Sequence, residues 1–423
     1  MEQVIQKKCM KKIAVIGAGI SGLTVSNILR DDYDVIVFET SSKPGGLIKC
    51  KRVDGNLYHI VGGHVFNSKR EDVLNWFWKF FDKDNEFVKA TRNASVFLNK
   101  PIGYPIENHI FDMQPDIQKQ IISDLLTIAT NNNFVPTNFE EFLKARFGKT
   151  LYELYFKPYN EKVWNKPLST ISLDWLEDKL PMPTVQDIIF NNFRREKEMT
   201  MVHSSFYYPK SGGSQFIADR LSEKLTIRYN TEIKEIRYDN NVWSVDNENF
   251  DIVLYTGNIK ELPSMLPINL LSEYKQTIKN LQYHGTTSVL CKINKNPYSW
   301  MYLPDKQYKS HRIICTGNFA PSNNAKVNLT ATVEFTDEIN KETIMQNLSH
   351  IPYSPKYITH QYTEYTYPIQ TPDTRLLVRN IKKSLEPRGL FLSGRFAEWE
   401  YYNMDAAIGA AIDLTRKIKN TNN

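Results

Sequence analysis

Cysteine is scarce in this chain of 423 residues: Cys9, Cys50, Cys291 and Cys315 are the only four, and none sit in CxxC spacing. That scarcity excludes a disulfide-stapled scaffold, and no metal site is expected; a reducing cytoplasm is the default setting. No run approaches the ~18 consecutive apolar residues of a membrane span, and mean hydropathy is negative. An excess of one charge is missing too. Lys and Arg number 53 against 47 Asp and Glu, a net +6 too thinly spread to argue for nucleic acid. No internal repeat or low-complexity tract is apparent. The basic start (Lys7, Lys8, Lys11, Lys12) leads into an apolar stretch without a small-residue cleavage site, so it reads as a strand and not as a signal peptide. What is abundant is aromatic: 12% of residues, including 23 Tyr. With 41% hydrophobic residues the chain can fill the cores of two or three linked modules.

The informative stretch comes early. Lys12-Ile13-Ala14-Val15-Ile16 is strand-like, Gly17-Ala18-Gly19-Ile20-Ser21-Gly22 follows at once, and Leu23 to Arg30 has helical spacing. Asp34 to Glu39 reads as a second buried strand whose closing acid lies 22 residues after Gly17. Strand, glycine turn, helix and acid in this register form a dinucleotide fingerprint. Gly17 serves the tight turn, Gly19 lets backbone approach a pyrophosphate beside Ser21, and Gly22 allows helix to pack on strand. The helix N-terminus offers free N–H groups to phosphate, and Glu39 accepts from ribose hydroxyls. The continuation Thr40-Ser41-Ser42-Lys43-Pro44-Gly45-Gly46 resembles FAD-binding flavoproteins more than NAD dehydrogenases, which favours FAD. Gly62-Gly63-His64 then sets a histidine on paired glycines.

Further on, aromatics in residues 71–82 recur at helical spacing, and Val96-Phe97-Leu98 with Ile102 to Tyr104 suggests a hairpin. Helical patterns fill Gln114 to about Arg195, with Asn138 as a cap for Phe139 to Phe147. Short strands are expected at Thr226–Tyr229, Glu232–Arg237 and Val242–Val245. A buried strand, Ile252–Thr256, returns to the nucleotide-binding sheet. Residues 283–365 read as a second, antiparallel sheet. Leu390 to Ser393 enters Gly394-Arg395, and Asp405 to Lys417 is helical. The expected fold is α/β: a Rossmann-like FAD-binding domain (1–92, 204–262 and 386–423, discontinuous), a helical insertion (105–203) and an antiparallel β-sheet domain (93–104 and 263–385).

Taken in order, the fingerprint, Gly62-Gly63-His64, Tyr104-Pro105-Ile106-Glu107-Asn108, Pro158-Tyr159-Asn160-Glu161-Lys162-Val163-Trp164 and Gly394-Arg395 with Met404-Asp405 eight residues later resemble the UDP-galactopyranose mutase family from end to end. The resemblance implies a flavin-dependent mutase that interconverts the pyranose and furanose forms of a nucleotide-diphospho sugar, most simply UDP-galactose. In that family N5 of reduced FAD attacks the anomeric carbon; NAD(P)H is a candidate reductant. Galactofuranose for surface polysaccharide biosynthesis is the associated product. Expected partners are a nucleotide-sugar substrate, with no nucleic acid and no membrane span, and a homodimer is among the expectations.

The resemblance also distributes roles. His64, Arg312 and Lys179 are the catalytic candidates. Arginine suits a departing diphosphate because its planar fork binds phosphate oxygens bidentately. Lys179 departs from the family, which has arginine there, and so keeps the charge without the fork. Tyr104, Glu107, Tyr159, Asn160, Trp164, Tyr302, Tyr367 and Tyr401 join Lys179 and Arg312 at the substrate. Glu107 stands where the family has an amide, and it accepts where an amide can donate. Gly62, Gly63, His64, Arg92, Gly394, Arg395, Met404 and Asp405 join the fingerprint residues at the flavin. Asp405 opens the last helix, whose amides face the anionic ring. Two readings compete. An FAD oxidase of the amine-oxidase or protoporphyrinogen-oxidase type shares the fingerprint but needs an apolar pocket instead of an anion clamp; a flavin- or nucleotide-binding protein without catalysis needs neither. The same mutase chemistry on another UDP-, dTDP- or GDP-sugar is the nearest variant.

Overall fold

The structure is a computed structural model and describes residues 10–130, 134–173, 176, 183–195, 204–325 and 328–421. These residues group into two compact units, 1–46 with 217–281 and 373–423, and 47–216 with 282–372.

The first unit is built on a five-stranded parallel sheet in the order Leu390–Leu392, Ile252–Tyr255, Lys12–Ile16, Asp34–Phe38, Thr226–Arg228. Its central strands are apolar on consecutive residues, as a sheet covered on both faces requires. The helix Ile20–Leu29 follows the first strand and is buried nearly all round. Ile252–Tyr255 pairs with Lys12–Ile16, so the expected return to the nucleotide sheet is met. The three short strands expected before it are partly redrawn. Thr226–Arg228 joins the parallel sheet, Asn230 turns left-handed at φ 53°, and Ile236–Asp239, Val242–Val245 and Glu248–Phe250 form a separate antiparallel meander.

The second unit carries a seven-stranded sheet in the order Lys356–Ile369, Gln282–Ile293, Leu329–Thr336, Arg312–Ile314, Trp300–Tyr302, Ala94–Leu98, Lys100–Gly103. All neighbours are antiparallel except Trp300–Tyr302 with Ala94–Leu98, which run parallel. Side chains alternate between faces. Met301, Ile313, Val333 and Val289 pack one face with Ile344 and Leu348, while Trp300, Tyr302 and Ile314 join the helical segment on the other. That segment comprises Pro115–Thr130, Phe139–Leu151, a π-helical stretch Tyr152–Phe156, Lys157–Trp164 and Val185–Arg194. Asn138 caps as expected, its side chain accepting from the Glu141 N–H at 3.0 Å.

The expected three-region division is drawn differently by the packing. Helical segment and sheet share one core, which holds Ile121, Phe142 and Tyr155 together with Val96, Trp300 and Ile314. Residues 47–92 and 204–216 fall with that unit because Phe87–Thr91 pairs with Ser205–Pro209 and the Tyr58 hydroxyl donates to the Ser288 carbonyl at 2.5 Å. Residues 263–281 and 373–385 fall with the nucleotide sheet. Lys260 Nζ donates to the carbonyls of Lys279 and Leu281, both at 2.6 Å, and Arg375 and Lys382 pair with Glu400 and Glu398.

Candidate functional site

In the first unit the glycine turn is held by its own backbone. Gly17 takes φ 105° and donates to the Phe38 carbonyl at 2.8 Å, and Gly45 donates to the Ala18 carbonyl at 2.8 Å. A Cβ on Gly22 would stand 1.9 Å from the Gly17 carbonyl oxygen, so no side chain fits where helix meets strand. Gly19 and Gly46 face each other; a Cβ on Gly46 would lie 3.2 Å from Gly19 Cα. Glu39 is buried, and its carboxylate accepts from the Ala18 N–H at 2.8 Å and the Ser41 N–H at 3.0 Å. It is thereby fixed between the two glycine loops.

The closing motif belongs to the same unit. Gly394 takes φ 111°, its N–H donates to Glu398 at 2.9 Å, and a Cβ there would lie 2.9 Å from Ser21 Oγ. Arg395 donates to the Tyr402 carbonyl, with Nε at 2.9 Å, and its guanidinium lies 5.0 Å above the Tyr401 ring. Met404 and Asp405 open the helix Met404–Thr421. Every cofactor residue of the fingerprint and of this motif thus falls in one unit, together with Tyr401.

The remaining candidates fall in the second unit, except Lys179, which lies outside the described residues. Strand register creates a row of polar groups: Tyr302 is opposite Arg312, and Arg312 is opposite Glu334. Arg312 Nε donates to Glu334 Oε2, and its Nη2 donates to the Tyr367 hydroxyl at 3.1 Å. The Glu334 side chain is 1% exposed. Burial alone would raise its pKa, but the adjacent Arg312 charge overrides this and brings it down to about 2. Around the row stand phenols. Tyr159 meets Tyr302 edge-on at 5.2 Å, stacks on Tyr155 at 5.4 Å, and Tyr104 lies 4.8 Å from Tyr302. Burial holds the hydroxyls of Tyr104, Tyr155 and Tyr159 well above the usual phenol range, so they remain donors. Arg92, expected at the flavin, donates to the Tyr302 hydroxyl at 2.5 Å and covers the Tyr104 ring at 4.6 Å. Glu107 is buried in the turn Ile106–Asn108.

Gly62 takes φ 67°, and a Cβ on it would lie 3.5 Å from His64 Nε2 and 3.9 Å from Glu334 Oε1; the glycine pair therefore brings imidazole and carboxylate around one point. His64 Nε2 donates to the Leu47 carbonyl at 3.0 Å. Gly63 packs on Ile314, whose Cγ2 would be 2.6 Å from a Cβ there. Asn160 bonds back to the Phe156 carbonyl of its own helix at 2.7 Å. Trp164 is buried edge-on to His284 at 6.5 Å, and His284 stacks on Tyr367 at 4.8 Å. Lys162 Nζ ties this helix to the carbonyls of Leu303 (2.7 Å) and Asp305, and burial lowers its pKa to about 7.

Sequence reasoning did not single out Glu334, His311, His284 or Tyr155. Tyr155 had a signal, its i,i+4 spacing to Tyr159. His311 precedes Arg312 directly, whereas nothing local marks Glu334. No cluster of metal-ligating side chains is found among the described residues, and no described helix is long and apolar enough to cross a membrane.

A parallel sheet entered through a glycine turn, with an acid locked beside it, defines a dinucleotide-binding α/β protein, and residues 15–83 match the NAD(P)-binding Rossmann-like domain family. Within that class the chain is similar along its whole length to the UDP-galactopyranose mutase of Mycoplasma genitalium, at 22% identity over 96% of this chain and 94% of the relative. The fold is that of a reduced UDP-galactopyranose mutase crystal structure, with TM-score 0.85, 21% identity and coverage of 97% of this chain and 96% of that one. Coproporphyrinogen III oxidase of Staphylococcus aureus is similar at 26% identity over 53% of this chain and 55% of its own length. The family resemblance carried by the motifs is therefore met along the whole chain.

Proposed function

We infer that the protein is a flavin-dependent mutase acting on a nucleotide-diphospho sugar, UDP-galactose being the first candidate. The observation that carries the reading is the Arg312 guanidinium, held by Glu334 and Tyr367 among buried phenols. An apolar oxidase substrate has no use for such a group; a leaving diphosphate does.

The glycine turn fits FAD, because Gly19 and Gly46 leave backbone open to a pyrophosphate and the helix Ile20–Leu29 begins there. Gly17, Gly19, Ser21, Gly22, Glu39, Gly46, Gly394, Arg395, Met404 and Asp405 would hold it, with Gly62, Gly63 and His64 contributing from the other unit. When bound and reduced, the flavin supplies an electron-rich nitrogen toward the anomeric carbon. Arg312 holds the phosphate oxygens as negative charge develops on them, and Tyr367 and Tyr302 donate hydroxyl hydrogens to the same charge. Arg92 orients Tyr302 through the hydrogen bond at 2.5 Å. Tyr104, Tyr155 and Tyr159 offer flat faces to a base, and Trp164 offers one to the sugar. Lys179 would add a second cation.

Half of the chain resembles a porphyrinogen oxidase, which keeps the oxidase reading as the alternative. One experiment separates the two. Dithionite-reduced protein is incubated with UDP-, dTDP- and GDP-hexoses and the ring isomers are resolved by chromatography. Isomerisation by the reduced form alone is expected. Turnover by the oxidised form with oxygen consumption would overturn the proposal.

A further inference from the structure

His311 is 2% exposed, and neither of its ring nitrogens has a hydrogen-bond partner. Buried polar groups are ordinarily paired, and an imidazole with both nitrogens unmatched carries a desolvation cost that its surroundings do not return. Its neighbours suggest when that cost would be recovered. Nε2 lies 3.6 Å from Glu334 Oε2, the same oxygen that accepts from Arg312 Nε. That is too far for a hydrogen bond, but close enough for one to form by a small shift.

The titratable and charged groups facing His311 come from each element packed around it. Arg312 is next to it in the chain, Glu334 lies on the neighbouring strand, Tyr159 stands edge-on from the helix at 6.4 Å, and His284 comes from the strand Gln282–Ile293. His64 flanks the other oxygen of Glu334. With Arg312 turned to Glu334 the cluster is neutral, and burial keeps the imidazole uncharged, its pKa lowered to about 4. An anionic ligand changes this balance: two phosphate charges beside Arg312 raise the affinity of every nearby site for a proton.

We propose that His311 is the alternate partner of Glu334 and positions Arg312 for its ligand: when a diphosphate engages the guanidinium, His311 takes one proton from solvent and donates Nε2–H to the carboxylate. The buried carboxylate is thereby never left unpaired while the arginine serves two anions. This rests on the reading that a nucleotide-sugar diphosphate binds at Arg312. It assigns His311 a role distinct from contact with substrate.

The test is calorimetric titration of the full-length protein with UDP-galactose, whose diphosphate does not itself titrate near neutrality, in buffers of different ionisation enthalpy from pH 6 to 8. Net proton uptake is expected, with affinity rising as pH falls, at most about tenfold per pH unit for one proton. His311→Phe and His311→Asn should bind without proton uptake and with a flat pH profile. Binding by the unmodified protein with no proton uptake overturns the proposal without any variant. Uptake that survives both substitutions, or is lost only in His284→Phe, overturns it as well. Absence of any binding by UDP-galactose and UDP overturns the nucleotide-sugar reading and this inference together.

Discussion

Arg312 and Glu334 stand opposite each other in the register of two antiparallel strands, and the guanidinium donates through Nε to a carboxylate that is 1% exposed. The pair is asymmetric. The arginine side chain keeps 21% of its surface and a second donor on Tyr367, while the acid is sealed in. Removing the cation therefore strands a charge, and removing the surface cation Arg70, which pairs with Asp72 in the open, does not.

Arg312→Met should cost ~3–5 kcal/mol of stability, as breaking a buried ion pair from one side does. Arg70→Met should stay within ~0.5 kcal/mol, the range for ordinary surface changes. Urea titration of the two variants checks this, and similar midpoints would show that Glu334 is not dependent on its partner.

On activity, Arg312→Lys keeps the charge but loses the fork. Turnover of reduced protein on UDP-galactose should fall by roughly 10²–10³, the loss typical of one preorganised donor to developing negative charge. Arg70→Ala should leave kcat and KM unchanged. Small equal losses in the two variants would place the phosphate grip elsewhere.

Acid should destabilise the fold in two stages. Burial lowers the His59 and His311 pKa values to about 3 and about 4, from 6.5, so the unfolded chain binds more protons below 6.5 and stability declines as pH falls from there toward 4. Glu334, at about 2 instead of 4.5, adds a loss as pH falls from 4.5 to 2. His311→Phe should flatten the first stage by at most ~1.4 kcal/mol per pH unit. Denaturant midpoints measured from pH 7 to 4 read it out; a curve unchanged by the substitution would mean His311 titrates normally.

Gly22→Ala would set a methyl 1.9 Å from the Gly17 carbonyl oxygen. Helix and strand must part for it to fit, and that carries the N-terminal amides away from the turn. The purified variant should lose flavin absorbance per mole of protein. Full retention of yellow colour would separate cofactor binding from this turn.

What could be read from the chain follows the range of the forces involved. Gly17, Gly19, Gly22 and Glu39 are local in sequence, and the backbone geometry that needs them is equally local, so their arrangement was legible; so was the Asn138 cap. Arg312 and the tyrosines were found through their motif context. Glu334 was not, because its meaning comes from register: 22 residues of intervening chain separate it from Arg312, and only strand pairing sets them side by side. Domain limits failed for the same reason, since the pairing of Phe87–Thr91 with Ser205–Pro209 joins segments that no window of sequence contains. The role expected for Arg92 shifted because the phenol of Tyr302, distant in sequence, captures it.

The π-helical stretch Tyr152–Phe156 runs straight into the helix that bears Tyr159, Asn160 and Trp164. Such a turn accommodates one residue beyond the α-helical count. Deleting any one residue there would let the coil relax and rotate everything after it by ~100°, turning the two rings off Tyr302 and His284. The stretch therefore works as a length gauge: a chimera joined across 151–164 can vary residue identities, but a graft one residue short would present the wrong side of that helix.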